Sequence, residues 1–160
     1  MNHTPEMLAL QQVVATCQTH HQALGEALED LRQRALNAAE LERLSKEDRR
    51  LLDQFAYRYT RLQDDMGARL MPAALRAMGE EITSMPMLDR LNRLEQLGWL
   101  PSADEWTTLR RIRNEFTHDY PETTAERFDR LQLVLASAHR LLEILTEIDQ
   151  KIQQRFPHLE

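Results

Sequence analysis

Polar and apolar residues alternate along the N-terminal part of the chain with the period of a helix. Spacings of four and three residues separate the members of one seam, which are Leu10, Val14, Cys17, His21, Leu24, Leu28, Leu31 and Ala35. Residues with this spacing share one face of an α-helix. Thr4 can cap the helix, with Pro5 at its first position. We expect a helix from about residue 5 to about residue 43, with a break near Asn37.

The middle of the chain contains three shorter helical patterns, over residues 45–72, 86–98 and 102–121. Pro72 is expected to bend or end the first of them. Ser102 opens the third, with a glutamate three positions later that completes a capping box. Their apolar positions are Leu52, Phe55, Tyr59, Leu62 and Met66, then Leu88, Leu91 and Leu94, then Trp106, Leu109, Ile112 and Phe116.

The last helical pattern is the longest and has the widest apolar band. Thr123 or Thr124 can cap it, and it extends to about Phe156. Its apolar positions are Phe128, Leu131, Val134, Leu135, Ala138, Leu141, Leu142, Ile144, Leu145 and Ile148. A band of this width is buried on more than one side, so the helix can pack inside the bundle and also face a second subunit.

These patterns predict an all-α protein with one domain over residues 1–160, folded as an antiparallel, up-and-down bundle of about five helices. The scarcity of turn residues agrees with this fold, because the chain has 4 glycines and 6 prolines. Cys17 is the single cysteine, which excludes an internal disulfide and suits a reducing compartment. We see no signal peptide and no membrane-spanning apolar run, so we expect a cytoplasmic protein without a membrane partner.

The charge of the chain limits its partners. The formal net charge is -6, yet 18 of the 20 lysine and arginine residues are arginine. An acidic chain is not expected to bind nucleic acid over its whole surface. An RNA site on this chain would therefore be a local basic cleft.

The most distinctive segment covers residues 109–121 and reads LRRIRNEFTHDYP. Four residues separate Arg113 from His118, and the first of them is Asn114. Tyr120 is the second residue after His118. An Arg-x4-His pair alone is uninformative, because chance gives about 0.7 such pairs in a chain of this composition. The added Asn114 and Tyr120, and the position at the end of a late helix, make the segment informative.

This segment resembles the Arg-x4-His-x-Tyr signature of HEPN-domain proteins, specifically of HepT-like toxins paired with a minimal nucleotidyltransferase (MNT). The resemblance implies a metal-independent endoribonuclease of a bacterial toxin–antitoxin system. It implies a homodimer whose two motifs line one cleft, and it implies no cofactor. By the same resemblance Arg113 and His118 are catalytic, Asn114 supports them, and Tyr120 is the residue to which the antitoxin adds AMP.

These residue types suit metal-free cleavage of RNA. The 2′-hydroxyl is the nucleophile, and His118 can transfer a proton near neutral pH. Arg113 can stabilise the charge that develops on the phosphate, while Arg110 and Arg111 can bind the RNA backbone. Five residues correspond to about 140° of rotation on a regular helix. Arg113 and His118 therefore share a site only if the helix ends or unwinds near residues 116–118, or if they meet across a dimer.

Ordinary structural roles are the alternative for each of these residues. Arg113 can be a surface arginine that pairs with Glu115 or Asp119. His118 can be a histidine favoured by the dipole at a helix C-terminus. Tyr120 can be a half-buried anchor before the proline.

Two other groups also have competing interpretations. His20 and His21 lie in the first helix, and we expect His21, on the seam, to be a packed or interface histidine. Residues 57–61 interleave two tyrosines with two arginines, which can form part of an RNA path. The commoner arrangement is a buried Tyr59 with the arginines paired to the aspartates at 64–65.

The motifs exclude a di-iron protein and a nucleotidyltransferase, and they leave two alternatives to the ribonuclease open. The chain has one Glu-x-x-His pair where a di-iron bundle needs two, and it lacks the Gly-Ser signature of a nucleotidyltransferase. It can instead be a noncatalytic helical subunit that binds a nucleotidyltransferase, or a structural bundle that dimerises through its last helix. Toxicity of the chain expressed alone would distinguish the ribonuclease from both.

Overall fold

The computed structural model describes residues 4–118 and 123–159. Its helices are α1 Pro5–Arg34, α2 Ala38–Glu42, α3 Lys46–Asp65, α4 Met71–Ala77, α5 Met87–Gln96, α6 Ala103–Phe116 and α7 Thr124–Arg155. A π-helical turn, Met66–Leu70, joins α3 to α4. These two ranges contain no strand. The protein is an all-α helical bundle, as the apolar periodicity predicts.

Side-chain caps define the helix starts that the sequence indicates. In four helices a backbone N–H of the first turn donates to the N-cap side chain, which is that of Thr4, Ser45, Ser102 or Thr123. The chain leaves α1 at Ala35, whose φ of 33° is left-handed. Asn37 then starts α2 through a capping box with Glu40. The predicted break near Asn37 is confirmed.

The expected bend at Pro72 takes the form of the π-helical turn. Proline has no N–H, and in a regular helix its ring collides with the carbonyl four residues earlier. In the turn, the N–H of Met71 donates to the carbonyl of Met66, which adds one residue to the helical repeat just before Pro72. The helix therefore continues into α4 and stops before Gly79, whose φ is 85°.

Contacts between α1 and α3 show that these helices run in opposite directions. Near the end of α1, Arg34 donates to Asp48 in the first turn of α3, with an Nη2–Oδ2 distance of 2.9 Å. In the middle of α1, His20 lies 3.4 Å from Asp65 at the end of α3. The two pairs are in reverse order along the two helices, so α1 and α3 are antiparallel.

Helices α6 and α7 are antiparallel by the same reasoning. Arg140 donates from its Nε to Glu105 at 2.9 Å, near the start of α6. Arg130, earlier in α7, donates to the carbonyl of Glu115 at 2.8 Å, in the last turn of α6. The second bond adds a side-chain donor to a carbonyl in the last turn of α6, where the regular hydrogen bonds of the helix end.

One part of the predicted seam on α1 is wrong. The structure buries Leu10, Val13, Cys17, His20, Leu24, Ala27, Leu28 and Leu31. His20 is 6% exposed, whereas His21 is half-buried. The prediction was correct for Leu10, Cys17, Leu24, Leu28 and Leu31, but Val13 and His20 are buried in place of Val14 and His21, and Ala35 is exposed. The reason is that α3 packs on one side of the stripe, and a single sequence does not show on which side its neighbour lies.

The apolar band of α7 divides into two parts. Its core side contains Leu131, Val134, Ala138, Leu141, Ile144, Leu145 and Ile148. Phe128, Leu135 and Leu142 are half-buried, and Leu133 is exposed. The bundle thus covers one side of the band and leaves the other partly open, and the second subunit expected there stays a prediction.

A buried polar cluster joins α1 to α3. Arg58 Nη1 lies 3.2 Å from His20 Nδ1, and arginine can only donate, so Nδ1 accepts. The proton of a neutral His20 is then on Nε2, which faces Asp65. Arg69 Nη1 lies 3.8 Å from the other oxygen of Asp65. Burial holds the pKa of His20 below its ordinary value; Asp65 opposes this shift, and Arg58 and Arg61 reinforce it.

This lowered pKa makes stability depend on pH. Below about pH 6.5 the unfolded chain takes up a proton that folded His20 resists, so the contribution of His20 is complete above that pH and is lost as the pH falls. His20→Gln should therefore flatten the decrease in the free energy of unfolding between about pH 7 and about pH 5, measured by urea denaturation. His158→Gln, at an exposed position, should keep the wild-type slope. Identical slopes for wild type and His20→Gln would contradict the assignment.

Candidate functional site

Helix α6, which carries Arg113, is held closely against the end of α3. The indole of Trp106 is buried over Gly67, where a Cβ atom would lie 3.4 Å from the ring. A side chain larger than alanine at Gly67 would push the two helices apart. Three residues before Gly67, Asp64 meets Arg113, which is seven residues beyond Trp106. Helices α3 and α6 are therefore antiparallel, and Arg113 lies at the interface between them.

Arg113 is held in place by three side chains. Its Nη2 donates to Asp64 Oδ2 at 2.7 Å, while Nη1 lies 3.4 Å from Asn114 Oδ1 and 3.5 Å from Thr117 Oγ1. The side chain is 19% exposed, and its Nε is buried without a hydrogen bond to any described residue. The guanidinium therefore has a defined orientation at the surface, next to an acceptor that an incoming phosphate would have to replace.

If Arg113 were an ordinary surface arginine, Glu115 or Asp119 would be its expected ion-pair partner. Glu115 lies 3.8 Å from Arg111 and not against Arg113. Asp119 lies outside the described residues. The partner of Arg113 is Asp64, 49 positions earlier in the chain.

His118 follows the end of α6. The last helical residue is Phe116, Thr117 occupies the C-cap, and the N–H of His118 donates to the carbonyl of Glu115 at 3.3 Å. His118 is exposed. The helix end that a site shared with Arg113 requires is therefore present at the predicted place. Tyr120 lies outside the described residues.

The two neighbouring arginines have different positions. Arg110 lines a cavity of about 100 Å³ together with Asp64 and Trp106, so it lies on the same side of α6 as Arg113. It is exposed and makes no ion pair within the described part of the chain. Arg111 is two positions from Arg113, about 200° around the helix, and approaches Glu115. The structure brings Arg110 to the site and directs Arg111 away from it.

An aromatic cluster anchors the end of α6. Phe55 and Tyr59 stack with ring centroids 5.6 Å apart, and Phe116 meets Tyr59 edge-on at 5.9 Å. Burial raises the pKa of Tyr59, and its hydroxyl makes no hydrogen bond to a described residue. The prediction that Tyr59 is buried is confirmed. Since Phe116 is the last residue of α6, this cluster fixes the point from which the chain runs on to His118.

The predicted ion pairs of residues 58–61 are wrong. Asp64 pairs with Arg113 on α6, and Asp65 faces His20 and Arg69. The spacing rules for one helix consider partners three or four positions away. They do not detect a partner on another helix, so the sequence alone does not identify Asp64 as a residue of the site.

The described residues contain neither a reactive thiol nor a group of metal ligands. Burial raises the pKa of Cys17 to about 12, so its thiol is not a nucleophile near neutral pH. Within residues 4–118 and 123–159, no three histidine, cysteine, aspartate or glutamate side chains are grouped as metal ligands. None of the helices in the same ranges has the length and apolar character needed to cross a membrane.

No family model matches the chain, and neither a curated protein nor a solved structure shows significant similarity to it. The likeness to HEPN proteins therefore depends on residues 109–121 and on the all-helical architecture.

The exposure of Asp64 predicts how firmly Arg113 is held. Asp64 is 52% exposed, and ion pairs of such residues contribute about 0–1 kcal/mol. Asp64→Asn should lower the free energy of unfolding by less than about 1 kcal/mol in urea denaturation, and the difference should shrink in high salt. A loss above about 2 kcal/mol would show that the ion pair is structural, and Arg113 would then be poorly suited to exchange it for a phosphate.

Proposed function

We propose that this protein is a metal-independent endoribonuclease toxin of a bacterial toxin–antitoxin system, acting in the cytoplasm as a homodimer. The observation that carries the proposal is the arrangement at the end of α6. Arg113 is oriented at the surface by Asp64, Asn114 and Thr117, and the helix ends two residues before His118. A fixed guanidinium and an exposed imidazole at one helix end are the two groups that metal-free RNA cleavage needs.

The reaction is an internal transfer at phosphorus. A base removes the proton of the 2′-hydroxyl, the 2′-oxygen bonds to the adjacent phosphorus, and the bond to the 5′-oxygen breaks as that oxygen gains a proton. His118 would accept or supply the proton. Arg113 would donate to the phosphate oxygens as their negative charge grows, and Asn114 would keep the guanidinium oriented. The products are a 2′,3′-cyclic phosphate and a free 5′-hydroxyl.

Two features support the expected partners. The half-buried side of α7, with Phe128, Leu135 and Leu142, is an apolar surface suited to a second copy of the chain. Tyr120 lies two positions after His118, so AMP added there by an MNT-type nucleotidyltransferase would put a bulky anion beside the catalytic pair. That anion would repel the RNA backbone, which explains how the antitoxin neutralises the toxin.

One observation favours the second candidate function, a noncatalytic subunit that binds a nucleotidyltransferase. The ion pair between Arg113 and Asp64 already neutralises the guanidinium, as a purely structural arginine would do. The two functions differ in the activity of the chain expressed alone.

The principal test compares wild type with His118→Ala and Arg113→Ala. Loss of the proton-transfer group should lower the cleavage rate by about 10²- to 10⁴-fold, and loss of the arginine by about 10²- to 10³-fold. The measurements are growth after induction, total cellular RNA, and cleavage of a labelled oligonucleotide by purified protein in the presence of EDTA.

The controls replace the same residue types at exposed positions away from α6, as His158→Ala and Arg76→Ala. Both should remain toxic and active. Equal growth of wild type and His118→Ala, with both proteins folded and abundant, would contradict the ribonuclease and favour the binding subunit.

The modification of Tyr120 has a separate test. Co-expression with an MNT-type nucleotidyltransferase should add one AMP to the wild-type chain and abolish its toxicity. Tyr120→Phe should stay unmodified and toxic, because it lacks the accepting hydroxyl. Intact-mass spectrometry measures the modification. AMP found on Tyr120→Phe, or neutralisation without modification, would show that the antitoxin acts in another way.

A further inference from the structure

The outward side of α3 carries an exposed aromatic ring. Tyr57 is 55% exposed, whereas the other aromatic side chains of the described residues are buried or half-buried. The guanidinium of Arg58 lies over its ring, 5.4 Å from the centroid. This contact restrains the ring on one side and leaves much of it open to solvent. An exposed, restrained aromatic ring offers a π-face to a planar ligand at little cost in side-chain entropy.

Two exposed arginines on this side of α3 and on the neighbouring α6 make no ion pair with a described residue. Arg61 lies one turn beyond Tyr57 on α3 and is exposed. Arg110 lies on α6, on the other side of the interface between α3 and α6, beside Asp64. Many other arginines of the chain are paired, including Arg34, Arg93 and Arg140. Unpaired guanidinium groups are available to bind phosphate.

The side of α3 that carries Tyr57 also carries Asp64, the ion-pair partner of Arg113. Tyr57, Arg61 and Asp64 are separated by four and three positions on a regular part of α3, so they share one side of the helix. Tyr57 and Asp64 are two turns apart, which is about 10.5 Å along the axis. Asp64 contacts Arg113 directly. The exposed ring therefore lies a short distance from the proposed catalytic arginine, with Arg61 between them.

We propose that the outer face of α3, formed by Tyr57, Arg61 and Asp64, is the path along which single-stranded RNA reaches Arg113. One base stacks on the ring of Tyr57, Arg61 binds the phosphate between that base and the cleavage point, and Arg110 binds the strand beyond Arg113. This inference builds on the proposed function by assigning its substrate as unpaired RNA. Stacking requires a base that is free of its neighbours, and a ring flanked by guanidinium groups matches the recognition of unpaired strands. A duplex would present its phosphates and hydroxyls but no free base face.

The chemistry of the face favours RNA over a protein partner. The chain is acidic overall, with a net charge of -6, whereas this face combines an exposed ring with a guanidinium group that makes no ion pair with a described residue. The centre of a protein–protein interface is typically depleted in charged residues. The residues along the outer face of α3 other than Tyr57 are charged or polar, as Asp53, Gln54 and Arg61 show.

The test measures binding separately from cleavage. The probe is a short single-stranded RNA with 2′-O-methyl groups, which has no nucleophile, and binding is followed by fluorescence anisotropy in the His118→Ala background. Tyr57→Ala should raise the Kd roughly 5- to 140-fold, which corresponds to about 1–3 kcal/mol for one stacked base. Tyr57→Phe, which keeps the ring, should stay within about twofold of the parent. Arg61→Gln should weaken binding and reduce the slope of log K against log salt by about 1.

Leu88→Ala is the matched control, because Leu88 is 56% exposed and lies on α5, away from this face. It should leave the Kd unchanged. Circular dichroism checks that each variant is folded. A Kd for Tyr57→Ala equal to that of the parent would overturn the proposal, even if the wild-type chain cleaves RNA. Failure of the parent to bind the probe would overturn it as well.

The outcomes separate this proposal from the ribonuclease itself. Binding that depends on Tyr57, in a chain that cleaves nothing, would support the RNA path and reject the catalytic assignment. Cleavage that is insensitive to Tyr57→Ala would support the ribonuclease and reject the path. If Tyr57→Ala weakens the complex with a nucleotidyltransferase and leaves RNA binding unchanged, the face binds protein and the proposal is wrong.

Discussion

The crossing of α3 and α6 depends on the contact between Gly67 and the indole of Trp106. Because glycine has no side chain, the indole lies directly against the π-helical turn, and the two helices approach closely enough for Asp64 to reach Arg113. A wider separation would leave both charges in solvent with no fixed geometry. The orientation of the guanidinium, its contacts with Asn114 and Thr117, and the position of Arg110 all follow from this close approach.

The π-helical turn links a backbone constraint to the site. Pro72 cannot donate to the helix and cannot tolerate the regular position of an earlier carbonyl, so the helix inserts one residue before it. The inserted residue lies in the same turn as Gly67, and the turn follows directly after Asp65. Single π-helical turns are often found at functional sites because they alter the direction of nearby side chains. Asp64 and Asp65 are the last two residues of α3 and lie directly before the turn, where Asp64 meets Arg113 on α6 and Asp65 meets His20 on α1.

The two polar clusters of the bundle differ in burial, and their roles follow from it. His20 and Asp65 are almost fully buried, so their contact joins α1 to α3 and responds to pH through the cost of burying a charged imidazole. Asp64 is half exposed, so its bond to Arg113 is weak in water and can be replaced by a stronger anion. A tightly held arginine would stabilise the fold but would bind phosphate poorly. The proposed function therefore places its chemistry at the exposed pair and leaves the buried pair a structural role.

The sequence by itself determined the helical class, the helix starts near Thr4, near residue 45, at Ser102 and at Thr123 or Thr124, and the segment that carries Arg113, Asn114 and His118. These features depend on local periodicity and on bonds within a single turn, and both are visible in consecutive residues. Only the tertiary structure decided that His20 is buried instead of His21, that Asp64 holds Arg113, and that Arg110 and not Arg111 lies beside it. Each of these depends on which face of a helix meets which neighbour. Several faces are compatible with the same apolar pattern, and the choice is made by packing between residues far apart in the chain, such as Gly67 and Trp106.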